Sequence, residues 1–394
     1  MIKGYEHMKK AIKTAVSILL LILVTASFPS CRKTDGGDVT EKPYRPEFPD
    51  VSEIQYDPLD YITVKPLSEI RISESELSQS VNYAIVSILL QMTEMTEYTE
   101  AGSKTVQPYD AANITFTGKP TDKSLVLSED TLAGMTNADS EEGSVFVIGS
   151  GSAIGKYHSD DPEKCTDGFE EQIIGRKIGE SFTIHVTFPD NYGLEELRGV
   201  PVDFDITVNS LSRAELPEFT DEICKDYTGY ESAEEYREFV RTYYLGNLSY
   251  NAVLENVTVK GWNEDVVKVY FDKYVDYSVC GSLQDGYTKE EYEELFAEFS
   301  VSMKDDATEY AHEVAEERMI LKYLFDICGI SMNEEEFSEA LENDYHENFI
   351  SYLENYGINS SDGLIEYFGK DELKISYMFD LLLKTLPSKL GRTE

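Results

Sequence analysis

The chain has 394 residues, and its 75 acidic and 34 basic side chains give a formal charge of −41. This length exceeds what one hydrophobic core usually organises, so two or three domains are expected, and 41% apolar with 28% charged residues excludes wholesale disorder. The acidic balance repels phosphate backbones and therefore argues against nucleic acid or ribosomal RNA as a partner.

The first thirty residues have the composition of an export signal. Four lysines within residues 3–13 precede an apolar run over residues 15–24, which is too short to span a membrane and has the length of a signal-peptide core. The run leads to Ser30 and Cys31, and a small residue directly before a cysteine resembles the lipidation site of bacterial lipoproteins. We predict a lipoprotein signal peptide at residues 1–30, lipidation of Cys31 and a lipid-anchored location outside the bacterial cytoplasm. An ordinary cleaved signal peptide or a short membrane anchor is the alternative.

The segment after the signal is polar and interrupted by prolines, with little periodic apolar content. These features predict a flexible tether at residues 31–66. Ser73 and Glu76 then form the motif of a capping box, and apolar residues recur at helical spacing over residues 74–95. We predict that residues 67–105 form a helical arm that packs with the C-terminal domain.

The middle of the chain changes to strand periodicity. Apolar and polar residues alternate without a break over residues 181–188 and again over residues 202–208, which predicts two half-buried antiparallel strands. Residues 189–193 form a loop that contains Tyr192, and residues 168–175 are predicted to form a short helix. One short helix on a small antiparallel sheet makes an α+β domain.

The chain after Pro217 has helical periodicity nearly to its end. Ser232 and Thr288 each begin a capping-box motif, and Gly329 is placed to end a helix. The predicted helices of this half include residues 306–327, 333–343, 345–356, 361–368 and 371–386.

Five short stretches in the middle of the chain resemble the motifs of one enzyme family. They are ITFTG at 114–118, FVIGSG at 146–151, GFEEQIIG at 168–175, TFPDNYG at 187–193 and LPEF at 216–219. In this order they resemble the FKBP-type peptidyl-prolyl isomerases, and within them the trigger-factor branch. LPEF is similar to the junction that leads into the C-terminal domain of trigger factors.

The resemblance implies an FKBP-like antiparallel sheet with one short helix at residues 106–215, followed by an elongated trigger-factor-like helical chaperone domain at residues 216–394. Trigger factors begin with a basic ribosome-docking domain, whereas this chain carries an export signal and a tether in its place. The resemblance is therefore to an exported form without a ribosome partner.

Isomerisation of an X-Pro bond needs no nucleophile, metal or cofactor. The barrier of about 18–20 kcal/mol comes from amide resonance, and the twisted amide is less polar than the planar one, so a dry aromatic pocket favours it. The resemblance assigns the catalytic pocket to five aromatic residues: Phe116, Phe146, Phe169, Tyr192 and Phe204. Phe169 is the expected floor, and the Tyr192 hydroxyl is expected to meet a substrate carbonyl.

Two further positions, Ile148 and Thr166, are expected to bind substrate, and Thr166 departs from the family pattern. Ile148 is expected to line the side of the pocket. Thr166 stands where relatives carry Ile or Val, whose backbone amide meets the substrate. The segment 149–167 is longer and more polar than usual, which is typical of a mobile flap.

The remaining cysteines and the histidines show no metal-binding pattern, so no metal and no cofactor are predicted. Cys165, Cys224, Cys280 and Cys328 are widely spaced, without a C-x-x-C pair or a histidine at ligand spacing. An extracytoplasmic compartment permits disulfides between them but the spacing does not require any.

The predicted function is a peptidyl-prolyl isomerase and chaperone for unfolded or nascent exported polypeptides that contain proline, acting from a lipid anchor on the membrane. The alternative is a non-catalytic holdase or binding lipoprotein that keeps the FKBP fold as a scaffold.

Overall fold

The computed structural model describes residues 44, 46–138, 142–149, 168–188, 192, 194–283, 287–342 and 360–391. The predicted signal peptide, the Cys31 lipidation site, Thr166 and the helix predicted at 345–356 therefore lie outside the described residues. Contacts divide the chain into two compact units, and we call Ser78–Ile223 the sheet unit and Met1–Leu77 with Cys224–Glu394 the helical unit. The described helices include none that is both long and apolar enough to cross a membrane.

The strands and helices of the described residues are numbered here in chain order. The strands are β1 (Ile62–Val64), β2 (Met95–Tyr98), β3 (Ala111–Pro120), β4 (Ser144–Val147), β5 (Ser181–Thr187), β6 (Pro201–Ala214) and β7 (Val257–Val259). The helices are α1 (Glu74–Gln91), α2 (Glu129–Gly134), α3 (Asp221–Thr228), α4 (Ala233–Leu254), α5 (Glu264–Ser282), α6 (Lys289–Ser302), α7 (Lys304–Cys328), α8 (Glu334–Ala340), α9 (Ser361–Phe368) and α10 (Lys370–Thr385).

The sheet unit is built around the long strand β6. All pairings are antiparallel: β3 lies along one edge of β6, and the other edge is shared by β5 and β2, while β4 pairs with the outer edge of β3. The predicted alternation in β6 is confirmed, because Val202, Phe204, Ile206 and Val208 are buried with at most 3% of their surface exposed. Their shared face forms one side of the core of this unit.

The sheet unit differs from the sequence prediction in its short elements. The stretch 168–175, predicted as a helix, forms one 3₁₀ turn at Glu171–Ile173. Strand β2 and helix α2 were not predicted. β2 has four largely exposed residues, and α2 has six residues, so neither is long enough to show a periodic apolar pattern.

In the helical unit, the predicted helix boundaries follow local capping chemistry. The Thr288 hydroxyl accepts from the Glu291 N–H while the Glu291 carboxylate accepts from Thr288, which confirms the predicted capping box at the start of α6. Gly329 ends α7 in the left-handed conformation, with φ of 70°. Helices α4 and α10 approach closely at Gly246, where a Cβ would lie 2.5 Å from the Leu383 carbonyl oxygen.

The segment predicted as a flexible tether is packed on the helical unit over much of its length. Strand β1 pairs with β7, and Ile62 within it is completely buried in the main helical core. Val51 is also buried, in contact with a second cluster that includes Val266 on α5. Isolated apolar residues at irregular spacing anchor this segment, and such anchors have no periodicity to be recognised. The tether prediction therefore stays a prediction for residues 31–43, outside the described residues.

A buried ionic network joins α5, α7 and α10. Glu372 accepts from Arg318 at 2.8 Å, from Lys273 at 3.2 Å and from the Tyr270 hydroxyl at 3.1 Å, and each of these side chains is largely or completely buried. Arg318 also donates to the Tyr270 oxygen at 2.9 Å. Burial by itself would raise the pKa of Glu372, but the neighbouring Arg318 and Lys273 charges outweigh it and lower the pKa to about 2.

Candidate functional site

A cavity of about 570 Å³ opens in the sheet unit between the aromatic face of the sheet, helix α2 and the loop that precedes β6. Its lining residues are Phe116, Ser128, Asp130, Thr131, Gly134, Met135, Phe146, Phe169, Phe188, Tyr192, Leu194, Glu195, Glu196, Leu197 and Phe204. All five aromatic residues that the resemblance assigned to the catalytic pocket are among them.

Four of the predicted aromatic rings form one cluster, with Phe169 at its centre. The centroid of the Phe169 ring lies 5.5 Å from that of Phe146, 6.1 Å from Phe116 and 5.2 Å from Phe204. The contacts to Phe116 and Phe204 are edge-to-face, an arrangement that aromatic rings prefer. Phe169 and Phe204 are each 3% exposed, whereas Phe116 and Phe146 are half-buried. The cluster therefore has a sealed floor and open walls, as a binding pocket requires.

The Tyr192 ring contacts this cluster through the ring of Phe188, a residue predicted to lie on the apolar face of a strand. The Phe188 centroid lies 4.7 Å from that of Tyr192 and 6.4 Å from that of Phe204. Arg198 Nε donates to the Tyr192 carbonyl oxygen at 2.8 Å, which fixes the backbone at this point of the loop. The alternation of β5 places Phe188 on the buried face, but its position at the end of the strand also brings it to the cavity.

The strand pairing itself makes room for the aromatic floor. Gly118 on β3 lies opposite Phe204 on β6, and a Cβ at Gly118 would meet the Phe204 Cε1 atom at 2.5 Å. It would also meet the end of the Met135 side chain at 3.0 Å. A side chain at this position would therefore push the Phe204 ring out of place.

Two polar side chains hold the backbone around the floor. The Asn137 amide accepts from the Phe116 N–H at 2.6 Å and donates to the Ile114 carbonyl at 3.0 Å, so the chain that leaves α2 is tied to β3. Glu170, next to Phe169 and almost completely buried, accepts from the Gly149 N–H at 2.7 Å. This bond ties the end of β4 to the turn that carries the floor residue.

The two predicted substrate-binding positions have different outcomes. Ile148 is completely buried in the core of the sheet unit and is absent from the described lining of the cavity, which corrects its expected place at the side of the pocket. Ile148 follows the last residue of β4 directly, and its side chain lies in the core rather than at the cavity. Thr166 lies outside the described residues, as does nearly all of the expected flap at 149–167.

Part of the cavity wall was not predicted. Thr131 on α2 and Met135 directly after it, with Leu197 in the 3₁₀ turn at Glu195–Leu197 and Leu194 directly before that turn, complete the side opposite the strands. A local feature marks α2 in the sequence, because Ser128 caps it by accepting from the Thr131 N–H.

The chemistry available in the cavity is that of an apolar surface with a few polar groups at its rim. Across the described parts of the chain, no three His, Cys, Asp or Glu side chains are grouped so that they could hold a metal ion. The walls are rings and aliphatic side chains, and the carboxylates of Asp130, Glu195 and Glu196 lie on the exposed rim. Such a site can bind an apolar ring and shield it from water.

No family model matches the chain. The trigger factor of Acetivibrio thermocellus is 25% identical over 319 residues, which cover 74% of this chain and 68% of that protein. The trigger factor of Clostridium botulinum is 30% identical over 206 residues, covering 49% and 44%, and that of Caldanaerobacter subterraneus is 45% identical over 74 residues, covering 19% and 17%. The chain therefore spans about two thirds of the first relative and less than half of the other two.

The chain was also matched to a solved structure of a trigger factor chaperone, described as promiscuous in substrate recognition. The match covers 83% of this chain and 72% of the chain in that structure. It is 15% identical with a TM-score of 0.22, so it carries no structural argument. In sequence, the chain is therefore similar to trigger factors.

Proposed function

We propose that this trigger-factor-like protein is a chaperone with FKBP-type peptidyl-prolyl isomerase activity. The observation that carries the proposal is the convergence of Phe116, Phe146, Phe169, Tyr192 and Phe204 on one open cavity. A catalytic pocket of this kind needs an apolar floor that is closed to water and a mouth that admits a proline ring. The buried Phe169 and Phe204 rings supply the floor, and the half-buried rings around them supply the mouth.

The geometry supports catalysis by differential binding of the twisted amide. When an X-Pro bond rotates, its amide loses conjugation and polarity, so transfer into an apolar cavity favours the twisted state over the planar one. The proline ring packs on Phe169, and the edges of the surrounding rings exclude water from the amide. In this mechanism the Tyr192 hydroxyl donates to a carbonyl of the bound peptide, and no covalent step is required.

The compartment and the clients are part of the proposal. The signal-like residues 1–30 and the lipidation motif at Cys31 support export and a lipid anchor, and the charge of −41 supports the absence of a ribosome partner. Its clients are then unfolded, proline-containing polypeptides met outside the cytoplasm.

A non-catalytic holdase is the second candidate, and one observation favours it. Apolar side chains on α2 and just before it are exposed: Val126 is 90%, Leu132 45% and Leu125 39% exposed. A surface of this kind beside the cavity can hold an unfolded segment without rotating its prolines.

The deciding experiment measures isomerisation of a capped proline peptide by NMR exchange, which requires no coupling protease. The wild-type protein is expected to accelerate exchange. Phe169→Leu is expected to lower kcat/KM on the order of tenfold, equivalent to about 1.4 kcal/mol of lost transition-state binding, and Tyr192→Phe tests the hydroxyl alone.

The matched control is Phe182→Leu. Phe182 is an aromatic residue on β5 of the same unit, the Arg176 guanidinium packs over its ring, and it is absent from the described cavity lining. Equal rates for wild type and Phe169→Leu would remove the isomerase proposal. Suppression of client aggregation without any isomerisation would favour the holdase.

A further inference from the structure

One carboxylate bridges the two sides of the cavity that the sequence did not predict. Glu196, in the turn before β6, accepts from the Ser128 N–H at 3.1 Å, from the Ser128 hydroxyl at 2.8 Å and from the Thr131 hydroxyl at 2.6 Å. All three bonds converge on its Oε2 atom. Ser128 and Thr131 belong to the start of α2, which lies 65 to 68 residues earlier in the chain. The bonds therefore connect two walls that are distant in sequence.

Helix α2 is attached to the rest of the sheet unit differently at its two ends. At its C-terminal end the Met135 carbonyl accepts from the Gly118 N–H at 2.8 Å, and the Asn137 N–H donates to the Phe116 carbonyl at 3.1 Å. These bonds hold that end on β3. At the N-terminal end, the bonds described to another element run to Glu196.

The other partner of the bridge is the loop that carries Tyr192. Leu197 is 3% exposed and anchors the turn in the core, while Arg198 ties the Tyr192 carbonyl to the same turn at 2.8 Å. Glu196 thus lies between the Tyr192 loop and α2 and is hydrogen-bonded to α2. Hydrogen bonds from the Thr131 hydroxyl and from Ser128 lower the pKa of Glu196, so it is ionised at neutral pH.

We infer that Glu196 is a positioning residue of the proposed isomerase, holding α2 opposite the Tyr192 loop at the spacing that a proline ring requires. This inference rests on the proposed function. It assigns Glu196 no contact with the substrate. The residue acts through Thr131 and Ser128, which place the Thr131 and Met135 side of the cavity against the aromatic floor.

The test measures exchange rates on an uncharged, capped proline peptide for a set of full-length variants. Glu196→Ala is expected to lower kcat/KM about tenfold and Glu196→Gln about threefold, because a neutral amide oxygen accepts weaker hydrogen bonds than a carboxylate. Thr131→Val removes the strongest donor without changing the size of the side chain, and Thr131→Ser restores that donor. The serine variant is expected to recover most of the activity that the valine variant loses.

Two controls separate positioning from other effects. Glu129→Ala removes a carboxylate from the same helix, at a residue that is exposed and absent from the described cavity lining, and it is expected to keep the wild-type rate. The double variant Glu196→Gln with Thr131→Val is expected to lose little more than the worse single variant, because both remove the same bridge. Hydrogen exchange at the α2 amides is expected to rise in step with the loss of rate.

The outcomes distinguish the two proposals. A wild-type protein without activity overturns the isomerase and this inference together. An active wild type whose Glu196→Ala variant keeps its full rate overturns the inference alone. Full additivity of the double variant also overturns the inference alone.

Discussion

Replacing Glu372 by glutamine removes the carboxylate that Arg318, Lys273 and Tyr270 share inside the helical unit. The substitution keeps the size of the side chain but leaves two cations in a buried site with one anion fewer. Removing one partner of a buried ion pair typically costs about 3–5 kcal/mol, because the remaining charge stays desolvated. Arg318 keeps Glu317 at 2.9 Å and Lys273 keeps Asp371 at 2.8 Å, so we expect the lower end, about 3 kcal/mol.

The lowered pKa of Glu372 determines how this stabilisation depends on pH. A pKa of about 2, against an ordinary value of 4.5, corresponds to about 3 kcal/mol in favour of the ionised form. Because the folded-state pKa is depressed, this contribution is fully present above pH 4.5 and is lost as the pH falls from there towards 2. The stability difference between wild type and Glu372→Gln is therefore expected to be constant near neutral pH and to shrink in acid.

The chain offers a probe that reports on this unit alone. Trp262 is the one tryptophan of the sequence, it belongs to the helical unit, and its ring stacks on His312 at a centroid distance of 4.0 Å. Urea unfolding followed by its fluorescence gives the free energy of unfolding of this unit for each variant. Unfolding of the sheet unit does not enter this signal directly.

The matched control is Glu334→Gln, which also removes an ion-paired carboxylate from the helical unit. Glu334 pairs with Lys374 and Lys370 but its side chain is 57% exposed, so its loss is expected to leave the free energy of unfolding close to the wild-type value. If Glu372→Gln destabilised the unit no more than Glu334→Gln, the buried network would not stabilise the helical unit through its charges.

Two further substitutions test other parts of the structure. Gly118→Ala places a Cβ 2.5 Å from the Phe204 ring, so we expect the isomerisation rate to fall by about tenfold or more. The far-ultraviolet circular dichroism is expected to stay unchanged. A wild-type rate would show that catalysis does not depend on the position of the Phe204 ring. Ile62→Ala removes a completely buried side chain from the segment predicted as tether, and we expect a cost of about 2–5 kcal/mol in the Trp262 transition. Leu59→Ala, at a residue that is 49% exposed, is its control, and equal effects of the two would contradict the packing of this segment.

Strands with one buried face could be predicted from the sequence because burial repeats at every second residue. Val202 and Phe204 are buried as the alternation requires, and Ile184 and Val186 follow the same rule. Elements of four to six residues have too few turns or pairs to establish a period, so β2 and α2 were missed. The buried Ile62 was missed for a related reason, since a single anchor between prolines has no pattern.

The site could be predicted in part because its aromatic floor lies on the stretches that resemble FKBP motifs. Those motifs predicted which aromatic residues form the site. They did not predict that Tyr192 contacts the other rings through Phe188, because this contact depends on the conformation of a loop. The Glu196 bridge could not be predicted, because it joins residues that are 65 or more positions apart and have ordinary local roles, a helix cap and a solvated carboxylate. Local chemistry explains each partner without indicating that they meet.

The buried network around Glu372 shows that a sequence can indicate the presence of a contact between distant residues. Arg318 lies four residues after Val314 and three after Ala315, both on the buried face of α7, so a cation interrupts an apolar stripe. Such a residue is stable there only if anions are buried beside it, and Glu317 on the same helix lies at the edge of the buried face, with 23% of its side chain exposed. The sequence thus indicates that a partner exists, while only the packing of α10 against α7 shows that the partner is Glu372. A charged residue inside a helical apolar stripe therefore predicts a tertiary contact, but it does not predict which residue of another element is the partner.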